Sequence, residues 1–280
     1  MKDNNLPPSV AKTEGIFLER LKNAGVKNFR QEFIWLACHA LNEPEYKILL
    51  KKNFNDIEYK KLSEIISRRE AGEPLQYILG SAVFYGREFI TGEGVLIPRE
   101  DTETLIEAVK KYYEPEKIFK FLDFGTGTGC IAITLLLEYK NSIGYMLEIS
   151  EQAKNYALKN LSLHGLKINE RVFFCEPDEC NLIISNPPYI PSEIINTLDR
   201  SVKDYEPVTA LDGGSDGMNF YRMIFSNAVK ILRSGGLLIF EIGDLNQAQA
   251  LRDYDVKNFK FLEYFHDSSN FPRCMVWRKC

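Results

Sequence analysis

The chain has 280 residues, 45% of them apolar and 26% charged, with a formal net charge of −4. That balance describes a soluble globular protein with room for two domains, and it argues against a broad basic face that grips long nucleic acid. The six cysteines, Cys38, Cys130, Cys175, Cys180, Cys274 and Cys280, form no CxxC pair. Reduced, mostly buried thiols are expected, and no metal. The opening "MKDNNLPPSV" lacks an apolar h-region. No apolar run approaches the ~18 residues of a membrane span, so the cytoplasm is the expected compartment, with no membrane partner.

Residues 13–73 read as helical. Ile16, Leu18, Leu21 and Val26 open the pattern; Phe33, Ile34, Ala37 and Leu41 continue it; Tyr59, Leu62, Ile65 and Ile66 repeat it at helical spacing. Gly72 and Pro74 stop the last helix. Residues 1–74 are therefore expected to form a small helical bundle, a docking module or packing cap with no catalytic constellation. Residues 75–98, "LQYILGSAVFYGREFITGEGVLIP", are rich in β-branched and aromatic residues and broken by glycines, which predicts a β-hairpin linker. "REDTETLIEAVKKYY" starts a helix with Asp101 or Thr102 as its N-cap. From about 119 strands alternate with helices through to "RCMVWRK", so residues 99–280 are expected to be a doubly wound α/β domain with a parallel sheet. The pattern does not reveal strand order.

"FLDFGTGTGC" is a strand, a glycine turn and a helix start. Gly125, Gly127 and Gly129 let the backbone approach a ligand that also meets the free N–H groups of the helix, with Thr126 and Thr128 between them. A glycine run alone can be only a tight turn; here a strand precedes it and a helix follows. The spacing is neither G-x-G-x-x-G nor G-K-[ST], which disfavours a dinucleotide or a triphosphate. Asp123 at the strand end would repel a pyrophosphate and could pair with an ammonium. The next strand ends in Glu148, placed to take ribose hydroxyls, or otherwise a solvated strand end or helix cap. A glycine turn, an acid for a ribose and an acid for an amine together describe S-adenosylmethionine.

"SNPPYIPSE" follows the apolar strand "NLIIS". The end of that strand should face the same crevice as the glycine turn. A Pro-Pro turn led by asparagine is the plain alternative. Beside the glycine turn and Glu148, chemistry explains the residue types better. An amide or aromatic amine nitrogen has a delocalised lone pair and must be turned toward the methyl donor. The Asn186 side-chain oxygen and a backbone carbonyl can accept its two N–H bonds. Pro187 favours an extended Asn186, and Pro187 with Pro188 removes competing turn donors. Tyr189 offers a flat face for a planar group. The motif alone leaves adenine, guanine exocyclic amines and glutamine amides open.

Six stretches occur in order: "AGEPLQYILGSAVFYGREF", "VLIPREDTE", "DFGTGTGCIAI", "SNPPYI", "YEPVTALDGGSDGMNFYR" and "FEIG". Together they resemble the protein-(glutamine-N5) methyltransferases of the HemK/PrmC type. The resemblance implies a class I, Rossmann-like methyltransferase domain behind an N-terminal helical bundle and a hairpin. It implies methyl transfer from S-adenosyl-L-methionine, leaving S-adenosyl-L-homocysteine, to the glutamine of the Gly-Gly-Gln loop in class 1 peptide chain release factors. By position, Gly125 to Gly129 would hold the methionine portion and Glu148 the ribose. Asn186 and Pro187 would bind the glutamine amide, with Tyr189 packed on it. Arg99 and Glu103 would line the site, or form an ordinary i, i+4 charge pair. The family usually has aspartate at Glu148. Its adenine contacts fall where this chain has a short join, leaving Phe174, Glu176 and Pro177 as candidates. "YEPVTALDGGSDG" is expected to be a loop over the site, adaptable through Gly213, Gly214 and Gly217, with Glu206 capping or pairing there. A monomer is expected, with no stable nucleic acid partner. The rival readings are an adenine- or guanine-N-methyltransferase acting on DNA or RNA, disfavoured by the net charge, and an inactive donor-binding scaffold, disfavoured by the intact Asn-Pro-Pro-Tyr.

Overall fold

The computed structural model describes residues 14–51, 53–254 and 257–280. The opening stretch, on which the absence of a leader was expected, lies outside them. The chain divides into two compact units after Gly80.

The first unit is helical: α1 Glu14–Asn23, α2 Phe29–Leu41, α3 Glu45–Leu50, α4 Asp56–Glu70 and α5 Leu75–Leu79. Its core gathers Phe17, Leu21, Phe33, Leu36, Leu62 and Ile66, all fully buried. Phe17 was not among the expected core residues, yet it sits at the centre, with its ring against Phe33, Phe54 and Tyr59. Ile16 and Leu18 are only half-buried, because the stripe that faces inward is Phe17–Leu21 at i, i+4. Asn55 caps α4: its Oδ1 accepts from the Ile57 and Glu58 amides at 3.0 Å, and Glu58 accepts from the Asn55 amide in return. Residues 75–79, expected as strand, are instead one short helix. Pro74 precedes it and Gly80, at φ +76°, ends it.

The second unit opens on a hairpin, β1 Ser81–Phe84 and β2 Arg87–Ile90, joined by Tyr85 and Gly86, both at positive φ. That two-residue turn matches the twist of the strands. The hairpin is part of the unit's core: Phe84 and Phe89 are buried in it, and the buried Asn160 exchanges hydrogen bonds with the Ile90 backbone at 2.7 and 2.9 Å.

The main sheet has seven strands: β3 Lys120–Phe124, β4 Ile143–Leu147, β5 Val172–Phe173, β6 Cys180–Ser185, β7 Leu232–Glu241, β8 Phe259–His266 and β9 Pro272–Lys279. Their order is β5-β4-β3-β6-β7-β9-β8. β3 to β7 run parallel; β9 inserts antiparallel to both neighbours, so the sheet is mixed rather than all parallel. Alternation along the strands divides the core. Phe121, Leu182, Ile184 and Ile239 face α6 (Glu103–Tyr112), α7 (Cys130–Glu138) and α8 (Glu151–Leu163). Leu122, Ile183, Leu238 and Phe240 face α10 (Asn219–Ile231) and α11 (Leu245–Asp253). Between β6 and α10 lies α9, Arg200–Lys203, a single turn. Each fully buried Leu, Ile or Phe is worth about 1.5–3 kcal/mol of transfer free energy. The chain leaves β3 toward β4 and β5, then returns to β6 on the other side of β3. The ends of β3 and β6 therefore flank the point where strand order reverses, the place where open α/β sheets bind ligands. Among the described residues no helix is long and apolar enough to cross a membrane.

Candidate active site

A cavity of about 400 Å³ opens at that reversal. It is lined by Val95 to Arg99, by the loop Gly125–Thr128, by Leu147 to Ser150, by Asn186 to Pro188, and by Pro207, Thr209, Ala210, Phe220 and Met223. Its wall is mostly apolar, with a few convergent polar groups, the general character of a small-molecule site.

The glycine turn has an open side and a packed side. Gly125 (φ +77°) and Gly127 (φ +55°) line the cavity, and a Cβ at either would find nothing closer than Val95 Cγ2 at 3.8 Å. Gly129 (φ +82°) faces the other way, where a Cβ would stand 3.0 Å from Ile133, 3.1 Å from Met146 and 3.4 Å from Ala157. The first two leave room for a ligand; the third lets α7 settle on the sheet. Asp123, expected to meet an ammonium, is fully buried beneath the turn and does not line the cavity. Its Oδ2 accepts from Thr126 Oγ1 at 2.6 Å and from the Ala132 amide at 3.3 Å, while Oδ1 has no partner among the described residues. Burial pushes its carboxyl up to about 7. Asp123 thus shapes the loop from below. Thr128 is buried and lines the cavity, and its carbonyl accepts from Asn160, which joins the turn to the hairpin.

Glu148 stands at the rim. Its Oε2 accepts from the Gly127 amide at 2.9 Å and its Oε1 from the Ser150 amide at 2.8 Å. A carboxylate has about four lone-pair sites, so it retains acceptor capacity toward the cavity. Beside it Ile149 lines the cavity and is 88% exposed. Phe174, Glu176 and Pro177 do not line the cavity. Phe174 packs at the edge of the core with the Lys154 ammonium over its ring, so its side chain is committed elsewhere.

Asn186 and Pro187 close the opposite wall. Asn186 Nδ2 donates to Thr102 Oγ1 at 2.9 Å; Thr102 Oγ1 donates to Glu241 Oε2 at 2.5 Å; Tyr189 Oη donates to Glu241 Oε1 at 3.1 Å. Asn186 Oδ1 and the carbonyls of Pro187 and Pro188 have no partner among the described residues. Tyr189, expected to pack on a substrate plane, is instead turned away from the cavity, its ring close against Gly243 and its hydroxyl on Glu241. Its carbonyl accepts from Gln247 Nε2 at 3.1 Å. Burial first, then the neighbouring Glu241 charge, holds the Tyr189 phenol far above its usual range.

Arg99 and Glu103 part company. Arg99 lines the cavity and pairs with the buried carboxylate of Glu206, which also accepts from the Ile97 amide at 3.3 Å. Glu103, expected to line the site, does not: its Oε1 accepts from the Tyr85 amide at 2.7 Å and so anchors the hairpin turn. The loop carrying Glu206 is pinned along Asn-Pro-Pro-Tyr. Ile190 exchanges backbone bonds with Leu211 and Gly213, at 3.0 and 2.8 Å. The glycines expected to make this loop adaptable serve close approach: a Cβ at Gly213 would stand 2.8 Å from the Tyr189 backbone, and at Gly217 2.5 Å from the Tyr189 carbonyl oxygen.

The PrmC N-terminal domain family matches residues 17–80, and the methyltransferase small domain family matches residues 100–198. A release factor glutamine methyltransferase of Thermodesulfovibrio yellowstonii is 34% identical over 263 residues, spanning 87% of this chain and 90% of that protein. The chain belongs to the release factor glutamine methyltransferase family. A second member, from Geobacter sulfurreducens, is 38% identical over 239 residues, 82% of each chain. The solved methyltransferase of Pyrococcus furiosus shares the α/β fold, with a TM-score of 0.52 at 15% identity over 70% of this chain and 91% of that one. In this member of the release factor glutamine methyltransferase family, sequence reasoning missed Thr102 and Glu241 as parts of the site. Thr102 stands at the N-cap position of α6 but makes no side-chain cap bond, because its hydroxyl is committed to Glu241. The stretch "FEIG" contained Glu241, and a lone acid inside an apolar strand is a signal of a partnered buried charge.

Proposed function

We propose that this enzyme transfers a methyl group from S-adenosyl-L-methionine to the side-chain amide nitrogen of the glutamine in the Gly-Gly-Gln loop of class 1 peptide chain release factors. The observation that carries the reading is the disposition of Asn186: its Nδ2 is bound back to Thr102, which leaves Oδ1 as the acceptor at the cavity. The cavity suits the donor. Gly125 and Gly127 leave space where a side chain would stand, Glu148 supplies acceptors at the rim, and Ile149 offers an apolar surface beside it. When bound, the donor supplies an electrophilic methyl on a sulfonium.

The chain's own residues do the rest. Asn186 Oδ1 and the Pro187 carbonyl accept the two N–H bonds of the substrate amide and turn its nitrogen toward the methyl. Both are acceptors, so they also stabilise the positive charge that develops on that nitrogen. No strong base is needed before attack, and the proton leaves afterwards. Most of the rate gain comes from holding the two groups in line in a largely apolar cavity. Arg99 and Glu206 join the segment before α6 to the loop beside Asn-Pro-Pro-Tyr, which keeps the two walls together. The N-terminal helical unit serves to dock the release factor away from its Gly-Gly-Gln loop. The enzyme works in the cytoplasm as a monomer.

The experiment is incubation with methyl-labelled donor and either a class 1 release factor or nucleic acid. Label on the release factor, lost when its Gly-Gly-Gln glutamine is replaced, is expected. Label on nucleic acid alone would move the assignment to an adenine- or guanine-N-methyltransferase.

A further inference from the structure

We propose that Thr102 and Glu241 are positioning residues that fix which end of the Asn186 amide faces the cavity, and that this makes the site select a glutamine amide over a glutamate carboxylate. The inference rests on the function proposed above and names a source of its substrate specificity.

An asparagine side chain presents nearly the same shape with either end forward. Only its hydrogen-bond partners decide which end is which. Glu241 decides it here. Once ionised, above a pH of about 7, its carboxylate only accepts, and it receives Thr102 Oγ1 at 2.5 Å and Tyr189 Oη at 3.1 Å. The single proton of Thr102 is thereby spent, so its oxygen offers Asn186 only lone pairs. Asn186 lies 2.9 Å away and can meet them only with Nδ2. The opposite orientation would set two acceptors face to face. Oδ1 is therefore turned to the cavity, where it accepts an N–H. A glutamine amide has that N–H; a glutamate carboxylate does not, and would leave two acceptors opposed. The three residues come from α6's N-cap, the end of β6 and the end of β7, so the relay crosses the sheet ends rather than lying within one loop.

The test measures wild type, Thr102→Val, Thr102→Ser and Glu241→Gln at about pH 8, where Glu241 is ionised. The readouts are turnover on a class 1 release factor and the inhibition constant of the same factor with glutamate in place of its Gly-Gly-Gln glutamine. Thr102→Val keeps the shape and removes the hydroxyl; Thr102→Ser restores it. Glu241→Gln keeps the volume but offers a donor as well as an acceptor, so it no longer dictates the direction of Thr102. Wild type is expected to prefer the glutamine factor. In Thr102→Val and Glu241→Gln that preference is expected to fall at least about tenfold, with kcat reduced and donor affinity retained, and Thr102→Ser is expected to keep it. General loosening of the site would weaken both factors alike and leave the preference unchanged, and an unchanged preference in both variants overturns the inference. Should Thr102→Val not fold, Glu241→Gln decides alone. If wild type does not methylate the factor at all, the functional reading fails and the inference falls with it; if wild type methylates and the preference does not move, only the inference fails.

Discussion

The Gly127 amide donates to Glu148 Oε2 at 2.9 Å, so the acid at the end of β4 holds the turn at the end of β3. Glu148 thus sets the loop's shape, and in the proposed function it has a second task, offering its remaining lone pairs to the donor's ribose. Glu148→Ala removes both and is expected to weaken donor binding by at least about tenfold, roughly 1.4 kcal/mol. Titration calorimetry with S-adenosyl-L-homocysteine measures it. Glu148→Asp shortens the arm; it is expected to lose less, because the aspartate still reaches one of the two amides.

Arg99 and Glu206 make a pair of unequal exposure, the glutamate side chain 1% exposed and the arginine 38%. Removing the arginine strands a carboxylate whose pKa is already raised by burial. Arg99→Ala is therefore expected to cost about 2 kcal/mol, read from urea unfolding. The double variant Arg99→Ala with Glu206→Gln should recover part of that loss, because the amide carries no charge to bury. Additive losses would show that the two side chains do not stabilise each other.

Gly125 and Gly129 separate stability from binding. Both have positive φ, which costs an alanine about 1 kcal/mol at either position. Only at Gly129 would the methyl also press on Ile133, Met146 and Ala157. Gly129→Ala is expected to lower stability by about 2–3 kcal/mol, measured by chemical denaturation. Gly125→Ala is expected to fold with a smaller loss but to bind donor poorly, since its methyl points into the cavity. Equal losses of stability would contradict this division.

Much of this was legible in the sequence because it depends on local pattern. The glycine turn lies between a strand and a helix that periodicity marks, and Asn-Pro-Pro-Tyr ends a strand whose apolar run is plain. What stayed hidden depends on residues far apart in the chain. Glu103 is expected from the sequence to line the site or to pair with its i, i+4 neighbour, but its partner is the backbone of Tyr85 in the hairpin. Arg99 pairs across 107 positions with Glu206, and Thr102 across 139 with Glu241. Such pairs form only once the sheet order is set, and the sequence pattern leaves that order open. Tyr189 was assigned from its ring, while its buried hydroxyl had to find a partner and found Glu241.

Glu241 also makes a prediction about stability and pH. Burial pushes its carboxyl up to about 7, against hydrogen bonds from Thr102 and Tyr189; Asp101 adds to the rise and Arg273 opposes it. The other titratable groups facing it stay neutral through this range: Cys130 is pushed up to about 12, and Tyr189, Tyr221 and Cys274 lie well above their usual values. A carboxyl with a raised folded pKa keeps its proton in the native state after the unfolded chain has lost it. Its stabilising contribution is thus complete below the unfolded value near 4.5 and is lost as pH rises through the folded value near 7. Glu241→Gln cannot titrate, and Asp123, raised to a similar value, is common to both proteins and cancels. The stability of wild type relative to Glu241→Gln is expected to fall by about 3 kcal/mol between pH 4.5 and pH 7 and then to level off. Urea unfolding of both proteins across that range measures the difference. A difference that stays constant with pH would mean that Glu241 titrates as an ordinary carboxylate, and that its charge is balanced in the fold by Arg273.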